Sequence, residues 1–213
     1  MSGAVLETAL VAFTTFFATI GPVDVAAIYA GLTTRNTPAE RRTMAIKGCA
    51  IAALILLVFL VFGNGMLAYM GISLSALRTA GGILLLLIGI KLVFAEHTGG
   101  TSTTEDETLE ATKKDDVSVF PLATPLIAGP GAMGAAVLLM GDAGSDLQLA
   151  GAVIGAAMSV VLITFVLLLI ATQVQRLLGV TGLQVISRIF GVLLTALAVQ
   201  FIFDGLKGSG LLG

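Results

Sequence analysis

The sequence predicts an all-α polytopic membrane protein with six transmembrane helices, built as two inverted three-helix repeats whose first and fourth helices are broken. Three observations lead to this prediction. Of the 213 residues, 57% are hydrophobic and 11% are charged, whereas soluble domains average about 45–50% and about 25%. The apolar residues fall in blocks of roughly twenty, the length of a spanning helix. The two halves of the chain also resemble each other, and each carries a Gly-Pro break.

Six apolar blocks are predicted to cross the membrane, because a soluble fold of this length could not bury so much apolar surface. We expect Gly63-Asn64-Gly65 to end the second block, Ser73-Leu-Ser75 to open the third, and residues 141–146 to form a tight turn after the fourth. The N-terminal residues lack the positive start of a signal peptide, so the first block is expected to be retained. The blocks cover residues 4–32, 44–63, 75–94, 117–140, 147–172 and 185–206.

The distribution of Lys and Arg predicts the orientation of these blocks. If the N-terminus lies outside, nine of the eleven basic residues fall in or beside the inner loops and only Arg78 and Lys207 lie outside. This bias matches the positive-inside rule, and it places both termini on the outer side. The loops predicted to face the cytoplasm are residues 33–43, 95–116 and 173–184.

The chain repeats itself with a shift of about 108 residues. Gly21-Pro22 then falls on Gly129-Pro130, and a shift of 110 places Arg78-x-x-Gly81 on Arg188-x-x-Gly191. Each half holds three spans, an odd number, so the halves would enter the membrane in opposite orientations, as in many transporters. We therefore divide the single membrane domain into a first repeat, 1–95, a flexible acidic cytoplasmic linker, 96–116, and a second repeat, 117–213.

The first and fourth blocks carry helix-breaking residues at matching places. The first is interrupted by Thr19-Ile-Gly-Pro-Val-Asp24, and the fourth contains Pro121 and Pro125 before Gly129-Pro130-Gly131. Paired Gly/Pro interruptions point to a transporter site, because exposed amides and carbonyls at such breaks can bind both ends of a zwitterion. The alternative is a pair of structural kinks. The candidate substrate-binding residues are Gly21, Pro22, Asp24, Thr124, Gly129, Pro130 and Gly131.

Three charged residues in the spans are candidates for ion coupling or charge pairing. Asp24 follows the first break, where a carboxylate could carry a coupling proton or sodium ion or could cap a half-helix that starts near Val25. Arg78 and Arg188 lie near the starts of the third and sixth spans. They could bind an anionic group or pair with Asp24, or they could extend to the membrane interface.

Small residues predict close helix contacts. Gly151, Gly155 and Ser159 recur every four residues in the fifth block, and Gly48 with Ala52 does so in the second. This spacing lets helix backbones approach each other, more often within one chain than between subunits.

The sequence offers few residues for catalysis or for metal binding. No metalloprotease, serine-hydrolase or P-loop motif is present, and the one histidine, His97, lies in the linker. Cys49 is the one cysteine, so no intramolecular disulfide is possible, and the net charge of −2 offers no basic surface for nucleic acid. We therefore expect no enzyme activity, no bound metal and no cofactor.

Three segments resemble the MarC family of bacterial and archaeal inner-membrane proteins, which is grouped with SnatA-like neutral amino acid transporters. The resemblance covers nearly the whole chain, and the third segment is the most specific. It implies six spans and, for some members, transport of small neutral amino acids such as glycine and alanine. At the first break the family usually has Asn or Asp followed by Pro-x-Gly, where this chain has Gly21-Pro22-Val23-Asp24. The segments are residues 37–42, 70–83 and 121–132.

Together, these features predict a secondary transporter in the bacterial or archaeal plasma (inner) membrane. Its expected substrates are small neutral amino acids or similar small, zwitterionic metabolites, moved by alternating access. Two alternatives remain open at this point: a channel that uses the broken helices as a filter, and a membrane scaffold that transports nothing.

Overall fold

The computed structural model describes residues 2–33, 36–94 and 116–210, and all regular structure in these ranges is helical. The first apolar block forms two helices in sequence, and the fourth forms an irregular segment followed by a helix. The predicted linker, with His97, lies outside the described residues apart from Asp116. The elements are α1 (Ser2–Ile20), α2 (Pro22–Leu32), α3 (Pro38–Tyr69), α4 (Leu74–Phe94), the irregular segment (Ser118–Ile127), α5 (Pro130–Ala143), α6 (Leu147–Leu169) and α7 (Ala171–Gly208).

Side chains fix the starts of the long helices. At α3, the Thr37 amide donates to Glu40 Oε2 over 2.7 Å and the Glu40 amide donates to Thr37 Oγ1 over 3.3 Å. This is a capping box with proline at the first helical position. Ser73 Oγ accepts from the Ala76 amide at α4, and Asp146 accepts from the first-turn amides of α6. The predicted start of the third block and the turn after the fourth are thereby confirmed.

Two helices continue past the predicted ends of apolar blocks. The second candidate span ends at Gly63, as predicted, but the helix α3 continues through Gly63-Asn64-Gly65 to Tyr69. A Cβ atom at Gly63 would lie 2.5 Å from Val137 Cγ2, so this glycine permits a close approach to α5. Residues 173–184, predicted as a loop, are part of α7. That stretch contains no proline, and several of its residues are good helix formers.

The helices differ in how well they satisfy the length and hydropathy of a membrane span. Four are long and apolar enough: residues 3–32, 38–63, 147–169 and 188–208. The irregular segment and α5 together qualify as a fifth, with a bend of 52° between them. The apolar part of α4, Ser75–Ile90, is shorter. An all-helical membrane fold is thus confirmed, with four or five candidate spans in the part of the chain that the structure describes, where the sequence predicts six.

Large apolar side chains cover the outside of the helix bundle. Leu54, Phe62 and Leu162 are 63%, 65% and 61% exposed, respectively. Such surfaces are unfavourable in water and suit contact with lipid chains. The buried core lies along the centre of the bundle and includes Phe16, Leu56 and Leu138.

The first and second halves of the chain pack against each other throughout. Between the two halves, α1 contacts α5, α6 and α7, α2 contacts α6 and α7, α3 contacts α5 and α6, and α4 contacts α5 and α7, while the irregular segment contacts α2 and α3.

The α4–α7 contact is antiparallel and depends on glycine. Gly82 lies against Ala198, Gly89 lies against Gly191, and Gly205 lies against Ser75, so the two sequences run in opposite directions. A Cβ atom at Gly82 would lie 2.7 Å from the Ala198 carbonyl oxygen. Neither helix could hold a larger residue at these positions without separating the pair.

The two stripes of small residues differ in their surroundings. At Gly48 a Cβ atom would lie 2.5 Å from Leu122 Cδ2 and 3.0 Å from the Ser118 carbonyl oxygen, so the expected close contact is confirmed. Gly151 and Gly155 have open space around the Cβ position. The expectation of a contact within the chain at these two glycines is therefore wrong.

Candidate functional site

The first break consists of one residue, Gly21, in a left-handed conformation with φ 61° and ψ 60°. Only glycine adopts this conformation readily. Two backbone hydrogen bonds meet at Gly21: its amide donates to the Phe17 carbonyl and its carbonyl accepts from the Val25 amide, each over 2.9 Å. Pro22, which follows, has no N–H to donate to the Ala18 carbonyl. The break therefore lies between two helices that still form one continuous apolar stretch.

Asp24 lies in the first turn of α2. It is the third helical residue, and Gly21 occupies the N-cap position. The prediction that Asp24 caps a helix starting near Val25 is therefore wrong, because proline at the first helical position lets α2 begin earlier. Asp24 Oδ2 lies 3.3 Å from the position of a Cβ atom at Gly21. The carboxylate thus folds back toward the break, where the N-terminal end of the helix dipole favours a negative charge.

The second break is larger. Within the irregular segment, Phe120 and Thr124 have extended backbone angles, and each precedes a proline. A residue before proline avoids the helical conformation, so Pro121 and Pro125 account for these two positions. The Ala128 amide donates to the Ala123 carbonyl over 2.9 Å, and α5 then begins at Pro130 with Gly129 as its N-cap.

The two breaks come together in the core of the bundle. A Cβ atom at Gly131, in the first turn of α5, would lie 3.8 Å from Thr19 Cβ, which is two residues before Gly21. Thr19 and Gly131 are both buried. Ile88 of α4 covers the same point, with its Cδ1 atom 2.5 Å from that Cβ position. The C-terminal end of α1 therefore meets the N-terminal end of α5.

The remaining candidate binding residues differ in how far they are buried. Pro22 and Gly129 are buried, Gly21 and Thr124 are partly buried, and Pro130 is exposed. Thr19 and Ile88 were not among the candidates, although Thr19 begins the interrupted stretch of the first block. An Ile in a helix of Leu and Ile carries no signal in the sequence that would distinguish it.

The two candidate arginines lie elsewhere. Arg78 forms an ion pair with Asp142, with 2.6 Å between Arg78 Nε and Asp142 Oδ1, and this contact ties the start of α4 to the end of α5. Pairing of Arg78 with Asp24 is not observed. Arg188 is exposed on α7.

A cavity of about 300 Å³ lies at the other end of the bundle, where α2 ends and α7 begins. Tyr29 and Thr33 line it from α2, Arg41 from α3, and Thr172 from α7. No motif in the sequence predicts this cavity. Its one local signal was the pair Arg41-Arg42 directly after a capping sequence.

Among the described residues, no group of three or more His, Cys, Asp or Glu side chains is placed to hold a metal ion.

Comparison with known proteins gives one consistent result. A sequence profile described as "MarC family integral membrane protein" matches residues 6–209. A UPF0056 membrane protein of Methanocaldococcus jannaschii is 37% identical over 204 residues, which cover 96% of this chain and 98% of the relative. The UPF0056 membrane protein YvbG of Bacillus subtilis is 36% identical over 196 residues, 92% of either chain. No solved structure matches this chain.

Proposed function

This chain belongs to the MarC family of integral membrane proteins, and we propose that it is a secondary transporter that moves small neutral amino acids or similar small metabolites by alternating access. In this proposal it lies in the plasma (inner) membrane of a bacterium or archaeon, with six spans and both termini outside. The relatives found in bacteria and archaea and the positive-inside bias of the sequence support that placement.

The observation that carries the proposal is the contact between the two breaks at Thr19 and Gly131. Transporters bind their substrates near the middle of the membrane, at discontinuous helices from both repeats. Here α2 and α5 both begin at the breaks, so two partly positive helix N-termini lie near the point of contact. The carbonyl groups at the C-terminal end of α1 supply partial negative charge. Among them, the Ala18 carbonyl receives no helical hydrogen bond, because the residue four positions later is Pro22, which has no N–H. This combination suits the carboxylate and ammonium of a small amino acid.

The helix contacts support two repeats related by a two-fold axis. In such an arrangement, α1 corresponds to the irregular segment, α2 to α5, α3 to α6 and α4 to α7. The contact between α1 and α6 therefore corresponds to the contact between the irregular segment and α3. The contact between α2 and α7 likewise corresponds to the contact between α5 and α4. The contacts α3–α6 and α4–α7 map onto themselves. The antiparallel α4–α7 pair is what an inverted repeat requires.

Asp24 is the proposed carrier of a coupling proton or sodium ion. It is the acidic residue nearest the first break, and its carboxylate turns toward Gly21. The Arg78–Asp142 ion pair connects α4 of the first half to α5 of the second. In an alternating-access cycle this contact would hold the outer end of the interface closed and would break when that end opens.

Counterflow in proteoliposomes tests the proposal. Vesicles containing the purified protein are loaded with unlabelled glycine or alanine and diluted into a trace of the labelled amino acid. We expect a transient accumulation of label that unlabelled glycine outside competes away. Vesicles without protein and vesicles loaded with glucose serve as controls. Equal uptake with and without the internal amino acid would contradict the transporter and would favour a channel, and absence of uptake across small neutral amino acids would contradict the substrate class.

A further inference from the structure

The cavity where α2 ends and α7 begins has a polar lining on one side and an apolar lining on the other. Its polar lining residues are Tyr29, Thr33, Arg41, Arg42, Thr172 and Gln173. The apolar side comes from Leu168 and Leu169 at the end of α6. Its volume of about 300 Å³ lies at the lower end of the range for ligand pockets, roughly 300–1,000 Å³. A small molecule fits such a space.

Arg41 is held at this cavity by one hydrogen bond to its main-chain carbonyl and one from its guanidinium. The Tyr29 hydroxyl donates to the Arg41 carbonyl oxygen over 2.5 Å, which ties α3 to α2. Arg41 Nη1 donates to Thr172 Oγ1 over 3.0 Å, which ties it to α7. The Arg41 Nε–H is buried and has no hydrogen-bond partner among the described residues. Positioned arginine donors without protein acceptors are the usual means of binding an anion.

The charge of the lining agrees with this geometry. Two arginines line the cavity, and none of its lining residues in the described part of the chain is acidic. A partly buried guanidinium is unfavourable unless a negative charge compensates it, and no described residue of the lining carries one, so an anion that enters would lower that cost. A guanidinium can bind a carboxylate through two parallel hydrogen bonds, and the hydroxyls of Thr33 and Thr172 lie in the same lining.

We propose that this cavity is a binding site for the carboxylate group of a small metabolite, with Arg41 as the residue that binds it. Leu168 and Leu169 would contact the apolar part of the molecule. The assignment of the carboxylate to a transported substrate, which would occupy this site as it passes between the breaks and the cytoplasm, rests on the proposed function. The carboxylate site itself does not, because its evidence is the lining and Arg41 alone.

The chain contains no tryptophan, so an introduced one is a unique fluorescent reporter. Leu169 lines the cavity and is 45% exposed, which makes Leu169→Trp a suitable position. A second reporter, Leu147→Trp, lies at the opposite end of α6 at a residue that is 88% exposed. The purified protein is titrated with acetate, glycine, methylammonium and inorganic phosphate. We expect acetate and glycine to change the emission of Leu169→Trp saturably, with no change from methylammonium and none at the control reporter.

Substitution of Arg41 identifies the group that binds. Arg41→Gln in the reporter background should weaken acetate binding by about tenfold or more, the usual effect of losing a charged hydrogen bond. Arg41→Lys keeps the positive charge but not the planar guanidinium, and its affinity for acetate should lie between those of the parent and of Arg41→Gln. This variant keeps the test valid if the Gln variant does not fold. Lys47→Gln removes an exposed cation six residues further along α3 and should bind acetate as the parent does.

Three outcomes would overturn the inference: acetate binding that Arg41→Gln leaves unchanged, equal responses to methylammonium and acetate, or a response to phosphate without one to acetate. The last would indicate a phosphate site, of a free ion or a lipid headgroup. Because acetate is not a proposed substrate, a failure here leaves the counterflow result intact. Conversely, acetate binding in a protein without counterflow would retain the site and reject the transporter.

Discussion

The two broken segments share the sequence Gly-Pro but differ in how far they depart from a helix. At Gly21-Pro22 a single left-handed glycine separates two helices that form one continuous apolar span. At Gly129-Pro130 the chain bends by 52° after ten irregular residues. The difference follows from Pro121 and Pro125, which remove backbone donors and force their predecessors into extended conformations. A Gly-Pro pair alone thus makes a small break, and further prolines make a large one.

The breaks also differ in charge. The first carries Asp24 in the first turn of α2, whereas the first turn of α5 carries Gly131 and Ala132. In a transporter built on these breaks, the first would supply the titratable group and the second would supply backbone close to the substrate. The following predictions test this division, beginning with the largest expected effect.

Gly131→Leu should abolish substrate binding, because its side chain would occupy the space between Thr19 and Ile88. A Cβ atom alone would lie 2.5 Å from Ile88 Cδ1, and overpacking of this kind costs about 1–3 kcal/mol. Binding is measured as the rise in the unfolding temperature with glycine, since a ligand at 100 times its Kd stabilises by about 2.7 kcal/mol. Gly134→Leu, on the same helix with open space around it, is the matched control. If Gly131→Leu bound glycine normally, the second break would be a structural kink and not part of the binding site.

A smaller substitution separates steric from backbone effects at the same position. Gly131→Ala should lower stability, and Ile88→Val, which removes the clashing Cδ1 atom, should restore part of the loss in the double variant. Thermal unfolding of both single variants and the double variant gives the coupling between the two positions. Additive losses would show that the close approach at Ile88 has no energetic effect.

Gly21→Ala should destabilise the protein by about 1–2 kcal/mol, the cost of a left-handed conformation for a residue with a Cβ atom. Gly21→Asn should cost less, because asparagine tolerates this conformation. Chemical unfolding in detergent micelles measures both. The matched control is Gly31→Ala in α2, which is exposed with open space around it and should gain stability. If the Gly21 variants had the same free energy of unfolding as the parent, the first break would not depend on glycine.

Asp24→Asn should have a smaller effect on stability, about 0.3–1 kcal/mol, from the loss of a charge at the N-terminus of α2. If Asp24 carries the coupling charge, the variant should keep counterflow but lose accumulation driven by an imposed proton or sodium gradient. Glu7→Gln, an exposed carboxylate in α1, is the control. Accumulation at the parent level by Asp24→Asn would rule out the coupling role and leave a role in stability only.

Asp116→Asn should have the smallest effect, a few tenths of a kcal/mol, because Asp116 is half exposed. Its carboxylate accepts from the Ser118 amide at the start of the irregular segment, and hydrogen bonds from Ser118 lower the pKa of Asp116. A lowered pKa stabilises the fold above the unfolded-state pKa, and the contribution is lost as pH falls through the folded-state value. The parent and the variant should therefore differ at pH 7 and converge in acid. A constant difference in unfolding temperature would contradict this account.

The sequence predicts the fold well where local chemistry is decisive. Proline in an apolar block predicts both breaks, and Ser73 and Asp146 predict the starts of two helices. It does not show that α3 continues past Gly63, where the candidate span ends, because a glycine that permits close packing and a glycine that ends a helix look alike until the neighbour is known. Here the neighbour is Val137, 74 residues away. The predicted loop at 173–184 is wrong because a moderately polar stretch without proline is compatible with a helix.

The candidate site shows the same limit. The Gly-Pro match identifies which residues interrupt the helices, but only the tertiary structure shows that Thr19 meets Gly131 and that Ile88 covers them. Arg78 pairs with Asp142 and not with Asp24, and the sequence did not indicate this because Asp142, which lies in the last turn of α5, was predicted to belong to a connecting turn. The cavity around Arg41 joins residues from α2, α3, α6 and α7, so no local pattern could reveal it.

The central claim is that the two breaks meet and that substrate passes between them, and a disulfide across the contact tests it most directly. Thr19 Cβ and the Cβ position of Gly131 lie 3.8 Å apart, within the roughly 3.5–4.5 Å of a disulfide. The protein carries Thr19→Cys and Gly131→Cys, with Cys49→Ala to remove the native thiol and Ile88→Val to relieve the contact. We predict that oxidation cross-links the pair and stops glycine counterflow, and that reduction restores it. Cross-linked protein with undiminished counterflow, or the absence of any cross-link in folded protein, would contradict the account.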